Sequence, residues 1–153
     1  MKKTMLALLL VAVLLTLTAC GGGKLTVGRN AEVKVVKAYC AKNLISNHTS
    51  YYASSGNTYV VVEIDFTNIS GRDDDAASLL EARLMVSGSS LGRFGTLAAL
   101  TNSEDLNPRL IINAGETRRV YCLFQVEENK AHGKTEITFT ANGQTVKTKV
   151  NPK

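Results

Sequence analysis

The sequence predicts an all-β domain, a sandwich or a barrel, and three observations carry that expectation. From Glu32 onward, short runs rich in β-branched residues are separated by Gly, Asn, Asp and Ser clusters, the spacing of successive short strands. Between Tyr59 and Asn68 apolar and polar residues alternate with a period of two, as they do in a strand with one buried face. Asn142-Gly143 lies between two further runs, and a type I′ hairpin turn needs positive φ at both central residues, which this pair tolerates best.

Taken in order, Glu32 to Cys40 reads as a first strand, with Val33 and Val35 on one face and a slip of phase at Val36 that marks a bulge. Asn43 to Asn57 reads as a polar loop carrying His48, Tyr51 and Tyr52. Tyr59 to Asn68 then sets Val60, Val62, Ile64 and Phe66 on an inner face and Tyr59, Glu63, Asp65 and Thr67 on the other. Ile69 to Asp75 breaks the pattern. Ala76 to Ala82 has the residues of a short helix as well as of a strand, and Arg83 to Val86 reads as strand. Gly88 to Leu106 mixes glycines with small apolar residues and is expected to be a long irregular connection. Leu110 to Ile112 leads into a turn at Asn113-Ala114-Gly115-Glu116, after which Val120, Cys122, Phe124 and Val126 fall in phase. Thr135 to Ala141 and Gln144 to Val150 form the last hairpin.

The N-terminus has a separate logic. Lys2 and Lys3 give a positive start, Met5 to Leu15 is an uncharged apolar run too short to span a bilayer with ordinary flanks, and Leu17-Thr18-Ala19-Cys20 follows. This pattern resembles bacterial lipoprotein signals, and the resemblance implies cleavage before Cys20, diacylation of its thiol and a mature chain held at the extracytoplasmic side of the cell membrane. The alternative is a plain secretory signal cut near the same place. Residues 1–19 are thus expected to be signal peptide, 20–31 the lipidated cysteine and a flexible tether through Gly21-Gly22-Gly23, and 32–150 one folded domain.

Composition narrows the function classes. Of 18 Lys and Arg, loss of Lys2 and Lys3 leaves 16 against 13 Asp and Glu, a net charge of +3. Charges are interspersed and no basic stripe with interleaved aromatics is present, so a nucleic-acid partner is not expected. Lys134, Lys147, Lys149 and Lys153 read as a solvated strand face, with anionic lipid or wall polymer as the alternative. With Cys20 assigned to lipid, Cys40 and Cys122 are an even pair in an exported chain, and a disulfide between them is expected to stabilise by about 4 to 5 kcal/mol through the long loop it closes. Two free thiols are the alternative.

Tyr59-Val60-Val61-Val62-Glu63-Ile64-Asp65-Phe66-Thr67-Asn68-Ile69-Ser70, with Ala114-Gly115-Glu116 and the strand running to Phe124, is similar to the exported immunoglobulin-like domains of unknown function found in many bacterial lipoproteins. The family's usual pattern is a tyrosine, alternating valines and Asn-x-Ser, then Pro-Gly-Glu before an inward phenylalanine; Ala114 stands here in place of the proline. The resemblance implies an immunoglobulin-like two-sheet antiparallel β-sandwich with no catalytic residues to carry over.

Candidate chemistry is sparse. Gly88-Ser89-Ser90-Leu91-Gly92 matches the G-x-S-x-G elbow of serine hydrolases, with Asp105 and His132 following in the hydrolase order. An elbow needs a parallel sheet built from βα units, however, and this chain has no such alternation. His48 and His132 lack partners at metal-ligand spacing, and Asp73-Asp74-Asp75 lacks the D-x-D-x-D-G order of a calcium loop. Tyr51, Tyr52 and Tyr59 could make an aromatic contact patch. The expected protein is a noncatalytic, cofactor-free binding or interaction module with a protein partner or envelope polymer. A small cell-envelope hydrolase or a thiol-redox accessory protein is the alternative.

Overall fold

The strand at the centre of the larger sheet is the one with the cleanest alternation. In the computed structural model, which describes residues 23–46, 49–90, 96–100, 106–107 and 110–153, the chain runs through β1 (Leu25–Val27), β2 (Ala31–Ala41), β3 (Asn43–Ser46), β4 (Thr49–Tyr52) and β5 (Asn57–Asn68). It continues through β6 (Asp74–Asp75), the one-turn helix α1 (Ala76–Leu79), β7 (Glu81–Val86), β8 (Ser89–Ser90), β9 (Thr96–Leu100) and β10 (Leu106–Asn107). The last strands are β11 (Ile111–Ile112), β12 (Thr117–Glu127), β13 (Thr135–Ala141) and β14 (Gln144–Val150).

Two antiparallel sheets make a β-sandwich: six strands in the order β1-β2-β5-β12-β9-β10, and four in the order β14-β13-β7-β8. Val60, Val62, Ile64 and Phe66 of β5, with Val120, Cys122, Phe124 and Val126 of β12, form one wall of the core. Leu84, Val86, Ile137, Phe139 and Val150 form the facing wall, and Leu79, Leu80, Leu110 and Ile112 close one end. Interdigitation of these two inner faces is what holds a sandwich together.

Local chemistry explains the joints. Ala76 to Ala82 resolves into helix and strand, because the Asp75 carboxylate caps α1 by accepting from Ala77 N at 2.9 Å and β7 starts two residues after the helix ends. The phase slip at Val36 is a register shift between Val35 and Lys37 opposite β5. Asn142 and Gly143 have φ of 48° and 71°, as the hairpin expectation required. Asn68-Ile69-Ser70 forms a lock at the end of β5: the fully buried Asn68 donates from Nδ2 to Arg72 O and Ile112 O, both at 2.8 Å, and accepts at Oδ1 from Ser70 N and Ser70 Oγ. The Ala114-Gly115-Glu116 turn docks there too, through Gly115 N to Asn68 O and Asn68 N to Glu116 O.

Three expectations are corrected. The tether does not extend to residue 31: Leu25–Val27 pairs with Ala31–Val33 and both Leu25 and Val27 are buried, so folded structure begins at Leu25. Asn43–Tyr52 is a hairpin and not an open loop, with Leu44 opposite Tyr51 and Ile45 opposite Ser50. The connection after Gly88 is not irregular throughout, since β9 pairs with β12 and β10 with β9. β9 is extended by its neighbour, where Thr-Leu-Ala-Ala-Leu shows no strand alternation of its own.

Candidate binding face on the six-stranded sheet

One face of the six-stranded sheet points into the sandwich core, and the opposite face carries a cluster of its own. Because β5 alternates, Tyr59, Val61, Glu63 and Asp65 project outward, and the register sets Tyr39, Val61 and Leu123 in one row and Lys37, Glu63 and Tyr121 in the next. Val61 and Leu123 are buried beneath Tyr39, Tyr59, Tyr121 and Leu44. The face is therefore apolar at its centre and aromatic around it.

Beside that apolar row lies a charged network. Only 5% of the Glu63 side chain is exposed, and its carboxylate accepts from Lys37 Nζ at 3.0 Å and Arg119 Nη1 at 3.3 Å. Arg119 Nε also donates to Asp65 Oδ1 at 2.7 Å, and Lys37 Nζ sits 5.0 Å from the Tyr39 ring centroid. Burial, reinforced by the Glu63 charge, pushes the Tyr39 and Tyr121 phenols above their ordinary value. The hydrogen bond to Asp65 strengthens the hold of Arg119 on its proton.

The β3–β4 hairpin borders this face. Tyr59 Oη donates to Tyr52 O at 3.4 Å, and Lys42, just before β3, forms an ion pair with Glu128. Leu44 turns inward, whereas Ile45, Tyr51 and Tyr52 remain 57%, 51% and 73% exposed. Of the tyrosines singled out in the sequence, Tyr59 joins the packed layer and Tyr51 and Tyr52 stay open to solvent. Tyr39, Tyr121, Lys37 and Arg119 were missed. Arg119 and Tyr121 lie out of phase with inward Val120 and Cys122, and that was the available signal.

The remaining candidates do not converge. Cys40 and Cys122 are free thiols, so the expected disulfide is absent. Cys40 pairs with Val60 and Cys122 with Val62, so β5 lies between them, and two strand spacings of about 4.8 Å put their Cα atoms beyond disulfide range. Burial pushes both thiols up, the fully buried Cys122 the further. Ser87 and Gly88, with φ of 50° and 84°, make a hairpin turn from β7 to β8, so Ser90 lies on a short antiparallel strand and not on an elbow. His132 is exposed in the turn before β13, and Cys20, His48, Leu91, Gly92 and Asp105 lie outside the described residues. The three aspartates are used locally: Asp73 accepts from Ala114 N at 2.8 Å, Asp74 pairs with Arg72 at 3.1 Å, and Asp75 caps α1. Among the described residues no group of three His, Cys, Asp or Glu side chains converges as metal ligands would.

Two adjoining clefts lie along the four-stranded sheet, one where it meets the edge of β2 and the other across β7, β13 and β14. One, of about 590 Å³, has Val35, Val36, Ala38 and Val150 along it with Lys149 and Lys153. The other, of about 780 Å³, is lined by Met85, Thr135, Lys134 and Glu136, and shares Lys149 and Asn151 with the first.

Comparison with known proteins identifies the architecture. No family model and no curated protein matches the chain. Among solved structures it is similar to an uncharacterised β-sandwich protein from Clostridium difficile, with 15% identity, a TM-score of 0.64 and coverage of 84% of this chain and 89% of that one. A conserved hypothetical protein from Bacillus anthracis matches at 14% identity and a TM-score of 0.58, covering 82% and 91%. A chain from Bacillus subtilis described as a candidate lipoprotein matches at 13% identity and a TM-score of 0.54, covering 84% of this chain and 38% of its own length. The shared feature is the β-sandwich fold.

Proposed function

We propose that this protein is a membrane-anchored extracytoplasmic lipoprotein whose immunoglobulin-like sandwich is a noncatalytic interaction module, with the tyrosine-rich outer face and the β3–β4 hairpin as the surface that takes a protein partner. The observation that carries this reading is the exposure of Ile45, Tyr51 and Tyr52 on a two-stranded hairpin backed by the packed Tyr59. Tyrosines on a rigid backing supply large contact area at little entropic cost, and they are enriched at the centres of protein interfaces. Support for the anchor comes from the Leu17-Thr18-Ala19-Cys20 sequence and from the likeness to a candidate lipoprotein.

The test is mild cross-linking in cells, followed by detergent extraction and mass identification. A stoichiometric partner is expected with the native protein, and it is expected to be lost with the double variant Ile45→Ser, Tyr52→Ser, whose side chains are solvent-exposed. A partner retained by that variant would overturn the assignment of the hairpin. Loss of membrane association in Cys20→Ala would support the anchor.

A further inference from the structure

We infer that the lysine-rimmed cleft between bulged β2 and the end of β14 faces the membrane and holds the phosphate groups of anionic lipid headgroups there. The inference rests on the anchored reading above, and it adds which side of the domain meets the bilayer.

Chain geometry supplies the first argument. β1 runs antiparallel to β2 with Leu25 opposite Val33, so continuing that register sets Gly23 level with Val35, at the near wall of the cleft. Three residue steps separate Gly23 from Cys20, and a fully extended chain covers at most about 11 Å in that number. A lipid on Cys20 therefore draws the bilayer surface to within about 11 Å of the cleft's edge, comparable with the ~8 Å Debye length at physiological ionic strength. The far end of the sandwich, at the Asn142-Gly143 turn, is set away from that surface.

The chemistry of the cleft is the second argument. Lys149 and Lys153 on its rim and Lys134 in the adjoining cleft are exposed and, among the described residues, form no ion pair, whereas neighbouring Lys147 is taken up by Glu136 at 3.5 Å. Lys37 at the margin is held by Glu63, and no acidic side chain among the described residues lines this cleft, Glu136 lying in the adjoining one. Val35, Val36, Ala38 and Val150 give the cleft an apolar strip beside its polar lining of Thr148 and Asn151, and Val36, lifted out by the bulge, is 41% exposed along it. Cations beside an apolar strip match a phospholipid, whose phosphate lies just above its hydrocarbon. Two residues hold the rim in place: Lys153 N donates to Ala38 O at 3.4 Å, and Cys40 N donates to Lys153 O at 2.9 Å.

The experiment uses the lipidated protein, purified in detergent and reconstituted on phosphatidylcholine vesicles with or without 30% phosphatidylglycerol (about one lipid in three, a strongly anionic surface). Sedimentation reads the anchor, and amine-reactive labelling with mass analysis reads each lysine. The expected result is co-sedimentation with both vesicles and labelling of Lys149, Lys153 and adjoining Lys134 slowed about threefold or more on the anionic ones, relieved by high salt, as a screened contact requires. Equal labelling on both vesicles, with sedimentation intact, would overturn the headgroup contact and leave the anchor standing. Protein left in the supernatant with both would overturn the anchor and this orientation together. Loss of the difference in Lys149→Gln, Lys153→Gln, read at Lys134, would assign the contact to those two side chains; a difference that persisted would overturn that assignment.

Discussion

Asn68 shows how much a single side chain can fasten. It is fully buried, and its amide makes four hydrogen bonds that join the end of β5 to the Ser70 turn and to β11. Alanine would take the amide donor from the buried Ile112 carbonyl and one of two donors from the Arg72 carbonyl, which also accepts from Ser70 Oγ at 3.1 Å, so Asn68→Ala is expected to cost about 1 to 3 kcal/mol, read as a lower urea midpoint. Tyr39 and Tyr121 give a pH signature instead. Their phenols hold protons to higher pH than tyrosines of the unfolded chain, mainly through burial, so above about pH 10 the native state binds more protons than the unfolded one. Stability is expected to be unaffected by these groups below that pH and to fall as pH rises through their folded values. Glu63→Gln removes the charge that reinforces the shift, so in that variant tyrosinate absorbance should appear at lower pH; an unchanged titration would show that Glu63 does not act on the two phenols.

Elements were legible where residue pattern and partner agreed. β5, β12 and the final hairpin each carry alternation or turn chemistry strong enough to be read alone, and the bulge at Val36 showed as a break in phase. β1 has three residues, too few for a period to appear, and β9 takes its extended form from β12. The β3–β4 hairpin was hidden by polar residues, because only Leu44 needs to turn inward. The cysteine pairing was hidden for a topological reason, since local spacing cannot reveal that β5 runs between Cys40 and Cys122. Of the candidate face, Tyr59, Glu63 and Asp65 could be placed from one strand, but their partners Lys37 and Arg119 arrive from β2 and β12 through registers set by the whole sheet. Gly28 offers a test of such packing between elements. Its φ is 61°, and a Cβ there would lie 2.6 Å from the Ala141 carbonyl oxygen, whereas Gly143 has a similar φ of 71° and open space around it. Gly143→Ala is expected to cost about 1 kcal/mol from backbone strain alone. Gly28→Ala should cost clearly more in the same thermal or urea measurement, because the β1–β2 turn must then separate from the β13–β14 tip.

At the scale of the molecule, β1 decides whether the two sheets behave as one body. It is the edge of the six-stranded sheet, yet it also packs against β14 and β13 of the other, and Val27 belongs to the same core cluster as Phe139 and Val150. The C-terminal residues reach the other way, from β14 to the backbone of Ala38 and Cys40. This side of the sandwich is thus closed by the two ends of the folded chain. Leu25 is buried at 5% exposure, so Leu25→Ala removes apolar area and opens a gap at a seam where neither sheet can follow the other inward, and a loss of about 2 to 3 kcal/mol is expected. The form of the loss tells more than its size. If β1 belongs to one cooperative unit, the unfolding midpoint should fall with the denaturant slope unchanged, and fluorescence of the tyrosines on the outer face should report the same transition as far-ultraviolet circular dichroism. If residues before 32 were only a tether, Leu25→Ala would leave the midpoint where it was, and the stiff connection that orients the lysine-rimmed cleft toward the bilayer would be lost with it.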